Sequence, residues 1–187
     1  MNQQPPPGYE QRKHIREVVP ELSRQMRTAF AAGCAERVLP VLDDYFSRDG
    51  ELFRRAIDLA WRYALGESGI EGQIQQAIDA CEKLVDVLYD NDDAASATLY
   101  ALNAISFTLQ STTQVESKLV YDAVSDAGGA AQSGDSQHGD EHIQEESEWQ
   151  VQALDVARAA AKPSRDMFQH LPANPRWLQL FRARRRA

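Results

Sequence analysis

IREVVPELSRQMRTAFAAGCAERVLPVLDDYF, residues 15–46, decides the fold class. Its apolar residues recur at Ile15, Val18/Val19, Leu22, Met26, Phe30, Cys34, Val38, Val41/Leu42 and Tyr45/Phe46, steps of three and four that put them on one face of a helix. Proline has no amide donor and clashes with the preceding turn. Pro20 therefore suits a first helical turn, and Pro40 is expected to kink this long first helix or split it in two.

The same spacing continues outward. It predicts helices over Glu51–Leu65 and Ile70–Leu88, a pattern from Ala94 to Val124 with a bend at Ser111-Thr112-Thr113, and a helix over Asp140–Ala161. Gly66, Ser68 and Gly69 close one helix, and Asp90-Asn91-Asp92-Asp93 both ends one and caps the next. The Gly-, Ser- and Ala-rich stretch 127–139 reads as a flexible loop or a frayed helix end. Phe168, Leu171, Trp177 and Leu178 mark a short docked helix after Pro163. Period-two alternation is too brief for a sheet. The expectation is an all-α, compact bundle of five or six helices around one core. It occupies residues 15–181, after a disordered lead over 1–14 (with Pro5-Pro6-Pro7-Gly8) and before a basic tail over 182–187. Phe30, Cys34, Leu59, Trp61, Ile78, Cys81, Leu84, Leu102 and Trp149 are expected to be mostly buried.

At 187 residues, 43% hydrophobic and 26% charged, the chain can bury a core without a disulfide or metal. Cys34 and Cys81 lie in apolar helical patterns without CxxC spacing and read as buried thiols. The polar, proline-rich start has no apolar stretch for a signal peptide. No apolar run approaches the roughly 18–20 residues needed to cross a bilayer. A cytoplasmic location is the expectation.

Four segments carry a family resemblance: Phe30-Ala31-Ala32-Gly33-Cys34-Ala35-Glu36-Arg37-Val38-Leu39-Pro40, Arg54-Arg55-Ala56-Ile57-Asp58-Leu59-Ala60-Trp61, Ala77-Ile78-Asp79-Ala80-Cys81 and Glu148-Trp149-Gln150. In these the chain resembles the bacterial family catalogued as domain of unknown function number 416. The resemblance implies a compact all-helical protein without an established activity, and marks Cys34, Glu36, Arg37, Pro40, Arg54, Asp58, Trp61, Asp79, Cys81 and Trp149 as its motif residues. The proline-rich start, the small-residue stretch and the arginine-rich end depart from the family pattern. Read physically, Glu36 and Arg37 are adjacent on a helix and must each find a partner elsewhere, whereas Arg54 and Asp58, four apart, can pair. Asp58, Asp79 and Glu148 flank apolar stripes, where a carboxylate can fasten helices through Arg37 or Arg54.

Chemistry-bearing patterns are few. His138 and His142, four apart with Glu145 or Glu146 following, are the one local arrangement that could suit zinc, yet Gly139 stands where HExxH needs its glutamate. A solvated acidic helix start explains the same residues. An enzyme using Asp58, Asp79 or Glu148 is the rival reading. No nucleophile, phosphate-cradling loop or GxSxG turn accompanies those carboxylates, so the expectation is a non-catalytic protein without a cofactor.

Charge says more. The chain carries a net −8, but residues 79–155 hold sixteen acidic and only two basic residues, Lys83 and Lys118, a local −14. That segment opposes nucleic acid and favours a basic protein surface. Arg176 and Arg182–Arg186 leave an arginine tail that contacts nucleic acid as a further alternative. The leading expectation is a helical protein that binds a basic partner, with an immunity protein neutralising a cognate toxin as the candidate role. The expected contact residues are Asp90, Asp92, Asp93, Asp126, Asp140, Glu141, Glu145, Glu146 and Glu148, by charge and exposure.

Overall fold

In the computed structural model, residues 5–46, 50–89, 96–133, 138–172 and 175–179 are described. The long apolar stripe breaks at Pro20. Helix α1 (Tyr9–Val18) gives way to a tight 3-10 turn over Val19–Glu21, and Leu22 is extended before α2 (Arg24–Tyr45) begins. Ser23 caps α2 by accepting the Met26 amide at 3.2 Å. Pro40, expected to kink or split the helix, lies within α2. Its neighbours Val38, Val41 and Leu42 are fully buried, so packing compensates for the backbone bond that proline cannot make.

Five further helices complete the architecture: α3 (Gly50–Ala64), α4 (Glu71–Tyr89), α5 (Ser96–Thr113), α6 (Ser117–Ser133) and α7 (Gly139–Ala159). Among the described residues there are thus seven α-helices and one 3-10 turn in an all-α bundle, more than the five or six expected, with a helical turn over 176–179 besides. The excess has two sources. The first stripe divides at Pro20, and the single pattern read over Ala94–Val124 is two helices. In α5 the Thr108, Ser111 and Thr112 hydroxyls donate back to the carbonyls of Ala104, Thr108 and Leu109 at 2.7, 2.6 and 2.7 Å. Buried hydroxyls satisfied this way let the helix run through the expected bend and stop at Thr113.

Helix α2 is central, in contact with α3, α5, α6 and α7. Every residue from Thr28 to Ala35 is buried, the pattern of a helix enclosed on all sides. Small residues set the spacing: a Cβ on Gly33 would come within 2.6 Å of the Phe168 ring. Likewise, the stretch beginning at Ala127, read as a loop or frayed end, is helical through Ser133. Ala127, Gly128, Ala130 and Ala131 are buried in it, where their size allows α5 and α6 to pack closely. Residues 134–137 of that stretch lie outside the described residues.

The lead expected to be disordered through residue 14 is helical from Tyr9. Gly8 starts α1 with a left-handed φ of 70°, where an added Cβ would fall 2.6 Å from Ser147 Oγ, and its amide donates to Gln144 Oε1 at 2.9 Å. The basic tail over 182–187 is outside the described residues. The expected core residues are buried except Leu84, which is half-buried. No helix among the described residues is long and apolar enough to cross a membrane.

Trp61 shows how this core is held. Its ring is fully buried, 6.2 Å from that of Phe168, and its indole N–H donates to Glu36 Oε1 at 2.9 Å. Trp61→Ala is expected to cost about 3–5 kcal/mol through lost transfer energy and a residual cavity. Urea unfolding measures it, and a loss below about 1 kcal/mol would show a ring that does not support the core.

Candidate functional site

Of the acidic residues on α7, one is set apart. Glu146, expected on the surface as a partner contact, has 0% exposure. It is the buried counter-ion of Arg37 on α2, with Arg37 Nη2 at 3.0 Å and Nε at 3.0 and 3.2 Å from its carboxylate oxygens. Trp177 Nε1 donates to the same carboxylate at 3.4 Å. Arg37 Nη1 donates to the Pro172 carbonyl at 2.7 Å, and the guanidinium carbon lies 4.2 Å from the Trp149 ring centroid. Burial raises the Glu146 carboxyl above its usual range against the pull of Arg37. Below this pair, Cys34 is buried and free. Burial, with Glu146 adding to it, pushes its thiol well above the usual range, and burial pushes Cys81 up to about 12. Neither thiol offers a thiolate at neutral pH.

Glu36, Arg37, Arg54 and Asp58 join separate elements, though not in the pairs that spacing allowed. Glu36 takes Trp61 and Arg37 takes Glu146, so each of these neighbours does find its partner elsewhere. Arg54 and Asp58 do not pair: Arg54 reaches Asp43, and Asp58 accepts from Arg165 at 2.6 Å. Asp79 and Glu148, expected to fasten neighbouring helices, instead accept from Gln75 and Gln144, one turn away on their own helices, at 2.8 and 2.7 Å. His138 is exposed at the start of α7 and His142 is buried, with ring centroids 6.2 Å apart. Glu146 is committed to Arg37, and Glu145 accepts the Arg176 amide at 2.9 Å. Among the described residues no three His, Cys, Asp or Glu side chains come together as a metal site.

What the inward turn of Glu146 leaves outside is an acidic stripe. Glu141, Glu148 and Asp155 are exposed and seven residues apart, hence on one side of α7 over about 21 Å. Asp155 escaped the sequence reading, although its heptad spacing from Glu141 and Glu148 was the signal that could have found it. Asp90, Asp92 and Asp93 lie outside the described residues.

Asp126 and Asp140 occupy a different place, a cleft of about 330 Å³ shared by α5, α6, the start of α7 and the Pro6-Pro7 segment, with Arg12 and Tyr100 in its wall. Burial, with Asp122 nearby, pushes Asp126 up to about 6 despite a hydrogen bond from Asn103. Sequence reasoning did not bring Arg12 or Tyr100 to this site, because α5 and α1 meet it only through the tertiary fold.

No family profile, no curated protein and no solved structure matches this chain.

Two tests follow from these environments. Removing one partner of a buried ion pair strands the other charge, whereas an apolar replacement of both does not. Arg37→Met and Glu146→Leu are each expected to lose about 3–5 kcal/mol in urea unfolding, and the double variant to recover most of that loss. Simple additivity of the two losses would show that the pair is not coupled. For Asp126, a raised folded-state pKa means that stability is greatest below the unfolded value and declines as pH rises from about 4 to about 6. The Tm of Asp126→Asn relative to wild type should accordingly climb across that window in thermal melts. A flat difference would place Asp126 in a solvated setting.

Proposed function

We propose that this chain is a non-catalytic cytoplasmic protein that binds a partner with a basic surface, and that it serves as an immunity protein neutralising a cognate toxin. The observation that carries this reading is the stripe of Glu141, Glu148 and Asp155, exposed along one side of a 21-residue helix inside the chain's −14 segment. A rigid row of like charges spaced by two helical turns steers a basic partner at long range. It also orders few side chains on binding, because α7 is already fixed by its buried face. Solubility alone requires no such alignment. The partner class fits the biology proposed: proteins acting on nucleic acid present basic clefts, and an acidic rod is a physical complement to one.

Membership of the domain of unknown function 416 family is part of the same proposal. Support comes from where its quoted segments lie. Glu36 and Arg37 from the first, Trp61 from the second and Trp149 from the fourth meet around one cluster, through the Trp61–Glu36 bond and the Arg37–Trp149 stack. Shared segments that converge in space describe a common scaffold, and the acidic stripe is this chain's own surface upon it.

The test is capture from the source cells with two baits, wild type and Glu141→Lys/Glu148→Lys/Asp155→Lys, both confirmed as folded by circular dichroism. A stoichiometric basic protein should be retained by wild type and lost from the variant, and its association rate should slow several-fold at low salt with the defect shrinking as salt rises. Growth of cells producing that partner should depend on co-production of the wild-type chain. Identical capture by both baits, or none by either, refutes the reading.

A further inference from the structure

The cleft of Arg12, Tyr100, Asp126 and Asp140 is separate from the acidic stripe and has the composition of a ligand site. Its volume of about 330 Å³ lies at the lower end of the roughly 300–1,000 Å³ range of small-molecule pockets. Helices build most of it: α5 supplies Tyr100, α6 supplies Asp126 and Gly129, α7 supplies Asp140, and α1 supplies Arg12. The Tyr100 ring lies over Gly129, where a Cβ would come within 3.0 Å of it, so glycine is what lets the ring line the wall.

Among the described residues the charges in this cleft form no ion pair. Arg12 and Asp140 make no side-chain hydrogen bond or ion pair among the described residues, and Asp126 has an amide neighbour, Asn103, but no cation. Arg16 and Lys118, which do not line this cleft, are engaged with the Tyr121 ring and Asp122. Opposite charges that share one small cleft without neutralising each other present complementary poles to a molecule bearing both signs. A guanidinium holds a carboxylate through two parallel hydrogen bonds, two carboxylates hold an ammonium, and an aromatic wall suits either an apolar body or the cation itself.

We propose that this cleft binds a small zwitterion of the α-amino-acid class, its carboxylate on Arg12 and its ammonium between Asp126 and Asp140. The raised pKa of Asp126 agrees with this arrangement: the carboxyl is desolvated and lacks the counter-charge that a bound ammonium supplies. The proposal does not depend on the protein-binding reading, since none of these four side chains belongs to the α7 stripe.

The twenty proteinogenic L-α-amino acids, each added singly to the full chain, are the probes, read by thermal shift and by ligand-observed NMR. At least one should raise Tm by about 3–5 °C at ten times its Kd. For that compound the carboxamide and the N-acetyl derivative, which lack one pole each, should bind at least ten-fold more weakly. Arg12→Gln should abolish the discrimination between acid and amide while preserving that between free and acetylated amine. Asp140→Asn should do the reverse. Neither substituted side chain has a partner among the described residues, so an unliganded Tm near wild type is expected and separates loss of binding from loss of fold. Three outcomes overturn the proposal: no amino acid binds; the amide binds as well as the acid, which makes the site one for cations; or either variant leaves the discrimination unchanged.

Discussion

A carboxylate and a guanidinium 109 positions apart in sequence, Glu146 and Arg37, meet with both side chains buried, and much of the molecule is arranged to make that meeting tolerable. Taking both charges out of water costs more than their attraction returns unless their remaining hydrogen-bonding capacity is filled. Here it is filled from three directions. Trp177 donates to the carboxylate, the Pro172 carbonyl accepts from the guanidinium, and the Trp149 ring covers its face. The segment after α7 is thereby drawn against α2, where Gly33 leaves room for Phe168. Such a pair contributes little net stability but discriminates strongly among arrangements, because any rotation of α7 that removes Glu146 from Arg37 strands a charge in the core. The facing of α7 follows. With Glu146, Trp149, Gln150, Ala153 and Leu154 turned inward, Glu141, Glu148 and Asp155 have to face solvent.

The class of fold was legible because apolar spacing is a local property. Ile15 to Phe46, Leu52 to Ala64 and Ile74 to Leu88 each show a helical face without any knowledge of neighbours. Helix number was less legible, since proline's cost depends on what surrounds it. Pro20 has Val18, Val19 and Leu22 buried around a turn and divides the stripe, while Pro40 is carried through by α2's enclosed packing. The stretch from Ala127 misled for a related reason. Gly128 and Gly129 weaken the helical propensity, and small Gly and Ala side chains weaken the hydrophobic signal, yet close α5–α6 contact is what small side chains permit.

Side-chain partners were legible only in part. Adjacency correctly separated Glu36 from Arg37, but the i, i+4 rule allowed Arg54 to pair with Asp58 when Asp43 and Arg165 were the partners, because distant groups compete for the same charges. Glu146 stands among Glu141, Glu145 and Glu148 with nothing in composition to distinguish it. Periodicity did carry a signal: Ile143, Trp149 and Ala153 lie three before, three after and seven after Glu146, which places it on the apolar face of its own helix. A carboxylate at such a position needs a buried cation, and Arg37, on the stripe-bearing α2, was available.

Two surfaces of the folded chain are joined by one amide. Gln144 Oε1 accepts the Gly8 amide, and its Nε2 donates to Glu148. The needs of those neighbours fix which end of the amide faces which, since Gly8 offers only a donor and an ionised Glu148 only acceptors. Gly8 in turn begins α1, from which Arg12 reaches the cleft that also contains Asp126 and Asp140. The left-handed glycine, the docked start of α1 and the outward stripe of α7 are consequently held in one hydrogen-bonded register. The cleft depends on that docking for Arg12, and the central glutamate of the stripe accepts from the same amide that holds Gly8. A chain truncated before Tyr9 would therefore lose more than a terminal segment, because both surfaces take part of their geometry from the contact between Gly8 and Gln144.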